Sequence, residues 1–301
     1  MKRISTIVML LAAVFVSVNA QLLYKVSGGS LKKPSYIVGT FHLAQASFAD
    51  SIAGMREAMA QTEQVCGELD MQQMMSAEGS QKLMQAMMLP DGKTLKDILT
   101  AEEQSRLNAF MTKLVGADMT NAMVEQQMGR MTPQALTTQF TMLMYMKHAS
   151  GFNPASLIDS YFQQEAMKAG KPVNGLETVD FQIKTLFQGM SLERQKQLLM
   201  CLVDNADFYD GETQRLAQAY FAKDLAKVKA LMDEKQNNAC DSTPAESEAL
   251  IDSRNADWLT KMPAIMAEKS TLFAVGAGHL PGDKGVLSLL RGAGYSVEAV
   301  K

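Results

Sequence analysis

The apolar positions along the chain follow two different periods, and the switch between them divides the sequence. From residue 22 to residue 69, short runs rich in β-branched and aromatic residues are separated by turn residues. Residues 22–26 read as a first strand closed by Gly28 and Gly29, residues 35–41 as a second opened by Pro34, residues 51–61 as a helix, and residues 65–69 as a third strand. Strand, helix and strand in that order predict a parallel pair. From Met71 to His148 the strand-like runs stop and the chain reads as helix. Residues 100–103 form a capping box ahead of an amphipathic run, and Thr132-Pro133 puts proline at a helix's first position. Fourteen of the 24 methionines fall between Met71 and Met146. This block, about residues 71–150, is expected to be a helical cap inserted over the sheet.

Asn153-Pro154 opens a further helix that closes at Gly170, and residues 172–176 return as a short strand. Helices follow from 179 to about 235, then a loop over 236–244, a long helix over 245–268, a buried strand over 271–275, a helix over 283–292 and a final strand over 295–300. No repeat of fixed period and no low-complexity segment interrupts this order. The pattern predicts an α/β fold: a mostly parallel central sheet with flanking helices and the inserted cap.

The N-terminus changes the picture of compartment. Lys2 and Arg3 precede an apolar run of about ten residues and then Val18-Asn19-Ala20, the layout of a secretory signal peptide cleaved after Ala20. The run is short of the roughly 20 residues a membrane span needs. A signal peptide at 1–20 and a mature domain at 21–301 imply a periplasmic or secreted protein with no membrane span after cleavage. Loss of Lys2 and Arg3 takes the formal net charge from -3 to -5. So mildly acidic a chain lacks the electrostatic footprint of a nucleic-acid or anionic-membrane binder. Of the three cysteines, Cys66 sits in a strand-like run and reads as a buried thiol, while Cys201 and Cys240 flank a helical stretch and are candidates for a disulfide in an oxidising compartment.

The candidate chemistry gathers at predicted strand ends. His42 follows the second strand, Glu68 and Asp70 flank Leu69, Glu177 follows Leu176, and His279 follows the strand ending at Val275. In open parallel sheets, ligands bind outside the carboxyl ends of the strands. The chain has three histidines, and two of them, His42 and His279, stand in the same context: an apolar strand, a glycine, two residues, then histidine. Glycine there permits a sharp turn and close backbone approach. Neutral imidazole with carboxylate is a donor set for a divalent metal (Mn, Co, Zn or Fe), so His42, His279 and Glu68, with Glu177 as a further carboxylate, are candidate metal ligands around an activated water. Asp159 and Gln182 lie on helices near these motifs and read as structural.

The runs YIVGTFHLA, VCGELD, GLETVDFQ, SRNADWL and FAVGAGHLPGDKGVLSLLRGAGYSVEAV resemble the TraB/PrgY/GumN family, which includes the Tiki metalloproteases. The likeness spans residues 22–301. It implies paired GxxH motifs, matched by Gly39 with His42 and by Gly276 with His279, a glutamate matched by Glu68, and an arginine matched by Arg254. In the Tiki branch these go with metal-dependent peptide cleavage; the family is also related in fold to haem-binding and esterase-like proteins. Alone, an arginine inside a predicted helix reads as a solvated surface residue. With the resemblance, Arg254 becomes a candidate to hold a substrate carboxylate, stabilise an oxyanion or fix Glu68.

Other signals carry less. Met142, Met144, Met146 and His148 alternate in a way that suggests a copper site, but on a helix they fall on two faces and read as packing. The run Gly276 to Gly282 lacks the spacing of a nucleotide loop, and neither a GxSxG elbow nor an HExxH motif is present. The expectation is an exported metal-dependent hydrolase, a peptidase, with Glu68 as ligand or general base, Glu177 and Arg254 as further catalytic residues, and a peptide or small-molecule substrate. The alternatives are a non-catalytic binding protein for haem, iron or peptide, and an esterase-like hydrolase.

Overall fold

The structure, a computed structural model, describes residues 21–301; the predicted signal peptide lies outside the described residues. Six strands form one sheet: β1 (Leu23–Ser27), β2 (Ser35–Thr40), β3 (Gln64–Leu69), β4 (Val173–Glu177), β5 (Thr271–Gly276) and β6 (Ser296–Ala299). Their spatial order is β4-β3-β5-β2-β1-β6. The sheet is mixed, which corrects the expectation of a mostly parallel one. β2, β5, β3 and β4 pair in parallel, but β1 runs antiparallel to both of its neighbours, β2 and β6. The cause is the short connection after β1, which turns at Gly28 and Gly29 with φ of 86° and 57°. A reversal that short can only return antiparallel, because a parallel return needs a crossover of a dozen or more residues.

The helices are α1 (Met55–Gln61), α2 (Met71–Met75), α3 (Ala77–Ala86), α4 (Leu95–Ile98), α5 (Ala101–Val115), α6 (Ala122–Met128), α7 (Pro133–His148), α8 (Ile158–Lys168), α9 (Val179–Phe187), α10 (Leu192–Asp204), α11 (Ala206–Phe221), α12 (Leu225–Met232), α13 (Pro244–Ser247), α14 (Ser253–Glu268) and α15 (Val286–Gly292). Local signals fix several ends. Thr100 and Glu103 exchange side-chain and backbone hydrogen bonds at the start of α5, and Gly116 ends that helix in the left-handed region at φ 77°. The Thr132 hydroxyl caps α7 one residue before Pro133. Among the described residues no helix is long and apolar enough to cross a membrane.

Two apolar cores result. The first lies against the sheet and joins Leu22, Val38, Phe162, Trp258 and Phe273. The second is wholly helical and joins Leu107, Phe110, Met111, Leu136 and Phe140 to Leu199 and Leu202. The helical lobe is therefore built from two separate chain segments, with α10 after β4 completing what α5 and α7 begin before it. Cys201 on α10 is disulfide-bonded to Cys240, their Cα atoms 5.8 Å apart, and Arg194 on the same helix grips the Cys240 loop through Ala239 O, Asp241 O and Glu246. An aromatic cluster links lobe to sheet: Phe41, just after β2, packs against Tyr145 of α7 and Tyr220 of α11, and the Tyr220 hydroxyl donates to Gly39 O at 3.1 Å.

Candidate functional site

The four parallel strands end on one rim, and each brings a polar side chain to it. β3 carries Glu68, β4 ends at Glu177, and the turns after β2 and β5 carry His42 and His279. The centre of the constellation is Arg254 on α14, a buried arginine. Its Nε donates to Glu177 Oε1 at 2.7 Å, and its Nη2 donates to Glu177 Oε2 at 3.0 Å and to Glu68 Oε2 at 2.5 Å. Its Nη1 donates to Leu250 O at 3.1 Å and approaches His279 Nε2 at 3.2 Å. A guanidinium has five N–H donors, and all five are engaged inside the protein. Leu250 itself lies in a π-helical turn, Glu248–Asp252, that leads into α14.

These contacts fix the protonation of His279. Arginine has only donors, so His279 Nε2 must carry its lone pair toward Arg254, and the proton sits on Nδ1. That N–H donates to Asn255 Oδ1 at 2.7 Å, while the Asn255 amide donates to His279 O and Lys284 O. Burial, with the Arg254 charge adding to it against Glu68, pushes the imidazole down to about 4, so it is neutral at physiological pH. The Trp258 ring lies against it, centroids 4.4 Å apart, with the Arg254 guanidinium 5.1 Å from the Trp258 centroid.

Glu68 receives the Gly276 N–H on Oε1 at 2.7 Å and Arg254 on Oε2. Burial works against its ionisation, but the charges of Arg254 and His42 and that N–H outweigh burial and hold the carboxyl below its ordinary value, the neutral His279 ring adding no charge of its own. Both GxxH glycines serve close approach. A Cβ on Gly39 would meet Leu280 at 2.9 Å and Ala277 at 3.1 Å, and one on Gly276 would stand 3.1 Å from Glu68 Oε1. Neither has positive φ, so the sharp-turn part of the sequence expectation does not apply to them.

His42 stands apart from this buried group. Its side chain is 72 % exposed, and Nδ1 pairs with Asp159 Oδ2 at 3.1 Å. The other Asp159 oxygen accepts the Thr40 hydroxyl at 2.6 Å. The Asp159 charge and hydrogen bond raise the His42 imidazole to about 9, which makes it an imidazolium at neutral pH. Asp159, which the sequence suggests is structural, is thus the orienting partner of His42. The available signal was its place at the first turn of α8, directly after the loop opened by Asn153-Pro154. Asn255 and Trp258 were also missed as individuals, although both lie in the run SRNADWL; read as a helix, that run places Arg254 and Trp258 four residues apart on one face.

His42, Glu68 and Asp159 line a cleft of about 390 Å³ whose walls also include Met71, Met75, Gln164 and Gln182. Glu177 does not reach it: the side chain is 0 % exposed and holds Arg254 and the Trp258 indole N–H. Glu177, expected from the sequence among the catalytic residues, is thus enclosed by Arg254 and Trp258, and the five N–H donors of Arg254 are taken up by Glu177, Glu68, Leu250 and His279.

The family model for the TraB/PrgY/gumN family matches residues 22–299. The chain belongs to this family. Among curated proteins it is similar to "Metalloprotease TIKI2" of Danio rerio, 24 % identical over 305 residues, which covers 88 % of this chain and 58 % of the relative. The chain thus spans somewhat more than half the length of that relative. No solved structure matches.

The relative's name implies a metal, and the donors His42, Glu68 and His279 have suitable chemistry. The Nδ1–H of His279 is committed to Asn255, the kind of outer contact that orients a ligating imidazole, and Glu68 Oε1 is 3.9 Å from His279 Nε2. Their placement does not fit a three-ligand centre, however. Arg254 donates to both Glu68 and His279, and among the described residues no group of three or more His, Cys, Asp or Glu side chains is placed to hold a metal ion.

Proposed function

We propose that the chain is an exported hydrolase that cleaves peptide bonds in the cleft between Glu68 and His42. The observation that carries this reading is an anionic carboxylate and an imidazolium lining one cleft, each held by its own partner: the buried Arg254 for Glu68, the half-buried Asp159 for His42. Titratable groups whose environments push their pKa values apart divide acid and base work between them. Glu68 takes a proton from the attacking water as the oxygen bonds to the scissile carbonyl carbon, and His42 gives a proton to the leaving amine. His279 and Glu177 act through Arg254 to keep the Glu68 carboxylate in place. The similarity to a protein named as a metalloprotease supports the peptidase assignment within the hydrolase class. Export is supported by the leader-like N-terminus and the Cys201–Cys240 bridge.

The test is cleavage of a peptide mixture by wild type and Glu68→Gln, with products identified by mass spectrometry, run with chelator and with Mn, Co, Zn or Fe added back. Glu68→Gln is expected to lower the rate by roughly 10²–10⁴ while leaving the fold intact. Normal cleavage by Glu68→Gln overturns the assignment of Glu68 as base. Loss of cleavage under chelation and its return with one cation would add a metal to the site; cleavage indifferent to chelation would leave the reaction to the protein groups.

A further inference from the structure

The cleft is asymmetric in a way that selects among peptides. Part of its lining is apolar: Met71 and Met75 on α2, with Pro154 and Leu157 from the segment before α8. Met71 and Met75 are four residues apart and share a face of α2, a helix capped by the Asp70 side chain immediately after β3. That cap sets the start of the methionine face three residues beyond Glu68. Met75 is 73 % exposed, a large apolar side chain left without cover beside the proposed reacting carboxylate. The same lining offers neutral hydrogen-bonding groups, Ser160, Gln164 and Gln182, suited to main-chain amides.

Charge is distributed as unevenly. No lysine or arginine is among the residues lining the cleft. Its one cationic group, His42, is already paired with Asp159, and its other ionised groups, Glu68 and Asp159, are acidic. A substrate carboxylate at this place would meet two carboxylates and no unpaired cation, whereas carboxylate recognition ordinarily uses a lysine or a bidentate arginine. An apolar side chain meets flexible thioethers that adapt to its shape. A volume of about 390 Å³ lies within the range of small-ligand pockets and admits a large side chain with its flanking peptide units.

We propose that Met71, Met75, Pro154 and Leu157 form a subsite for a large apolar side chain next to the scissile bond, and that the substrates are peptides cut internally rather than chains held by their C-terminal carboxylate. The proposal rests on the peptidase reading above and deepens it. The occupant is an unbranched, γ-branched or aromatic side chain in an extended segment, whose main-chain amides bond to Gln164 and Gln182. Met71 and Met75 are specificity-determining residues, outside the groups that move protons.

The experiment compares cleavage of a peptide set that varies Leu, Met, Phe, Ala, Asp and Lys on each side of a fixed bond, each peptide made with a free and an amidated C-terminus. Wild type, Met71→Ala and Met75→Asp are assayed side by side by mass spectrometry. The expected result is cleavage beside Leu, Met or Phe at least about tenfold faster than beside Ala or Asp, the order of discrimination an apolar pocket supplies. Free and amidated termini should be cut within about twofold of each other. Met75→Asp should lower kcat/KM for the apolar peptides by about tenfold and raise it for those bearing Lys; because Met75 is at the surface, its circular dichroism should match wild type. Equal cleavage of all side chains, a strict need for a free C-terminal carboxylate, or an unchanged Met75→Asp profile would overturn the subsite. Failure of wild type to cut any peptide would instead overturn the peptidase reading on which the subsite rests.

Discussion

The rim of the sheet and the helical lobe bury their side chains on opposite principles. The lobe's cluster, from Leu89 through Phe140 to Val203, is apolar throughout, and its members meet at the spacing of amphipathic helices. Beside the sheet, an ionised arginine and an ionisable carboxylate, Arg254 and Glu177, are buried with a third charged group, Glu68, at their edge. An apolar cluster stabilises by burial alone, and each fully buried large side chain contributes about 1.5–3 kcal/mol. A buried ion pair recovers its desolvation cost only when its geometry and hydrogen bonds are complete, and replacing it with apolar residues of similar size is often neutral or stabilising. The lobe is therefore built for stability. The Arg254 network, with all five donors used, makes sense as a device that holds Glu68 and His279 in one arrangement.

The largest test of that contrast removes one partner on each side. Arg254→Met leaves Glu177 buried and unpaired, and is expected to cost about 3–5 kcal/mol in urea unfolding together with all measurable peptide cleavage. Adding Glu177→Gln to it should recover at least about 1 kcal/mol of stability while activity stays lost, because Glu68 remains unheld. If the double variant regained cleavage, Arg254 would not be positioning Glu68. In the lobe, Phe140→Ala should cost a comparable 3–5 kcal/mol by leaving a cavity, yet keep kcat/KM within a few-fold of wild type at temperatures where it is folded. A selective loss of kcat in Phe140→Ala would show that the lobe shapes the site as well as supporting it.

A smaller effect is expected from the bridge that ties the lobe together. Cys201→Ala with Cys240→Ala opens a link between residues 39 apart in sequence and should lower stability by about 2–4 kcal/mol. Its measurement is the shift of the denaturant midpoint against wild type, with and without reductant. Reductant should destabilise wild type and leave the double variant unchanged; a shift in the variant would locate the redox sensitivity elsewhere.

The two regions also differed in how much of them could be read from the chain. In the lobe, Thr100 with Glu103 and Thr132 with Pro133 announce helix starts, since capping is chemistry within three residues. The strand ends bearing His42, Glu68, Glu177 and His279 are equally visible, because a short apolar run that closes on a titratable residue is a local pattern. What was not visible is which of these residues face one another. Arg254 and Glu68 are 186 residues apart in sequence, Arg254 and Glu177 77, and His42 and Asp159 117. No periodicity encodes such pairings, so neither the enclosure of Glu177 beneath the cleft nor the contact of Asp159 with His42 is written in the local pattern. The mixed sheet was missed for a related reason: strand character is local, whereas direction depends on whether the connection after β1 is a tight reversal or a crossover. The second segment of the lobe, α10, escaped because completion of a core by a later helix leaves no mark in either helix alone.

The finest test concerns the one site group open to solvent. His42 has a folded pKa raised from the ordinary 6.5 to about 9 by Asp159. A group whose pKa rises on folding stabilises the fold fully below its unfolded value and loses that contribution as pH climbs through the folded value, so the His42–Asp159 pair contributes below pH 6.5 and fades toward about pH 9. With the His42 side chain so exposed, the stability effect is expected to be slight, and the pH–rate profile is the sharper readout. If the imidazolium is the acid, kcat/KM should decline as pH rises through about 9. Asp159→Asn removes the charge that raises the pKa, so the alkaline limb should move toward 6.5, and at pH 8 the variant should be mostly inactive while wild type is mostly active. Direct titration of the His42 ring by NMR in both proteins separates this from damage to the cleft. A moved ring pKa with an unmoved rate limb would show that His42 is not the proton donor, and an unmoved ring pKa would show that Asp159 does not control it.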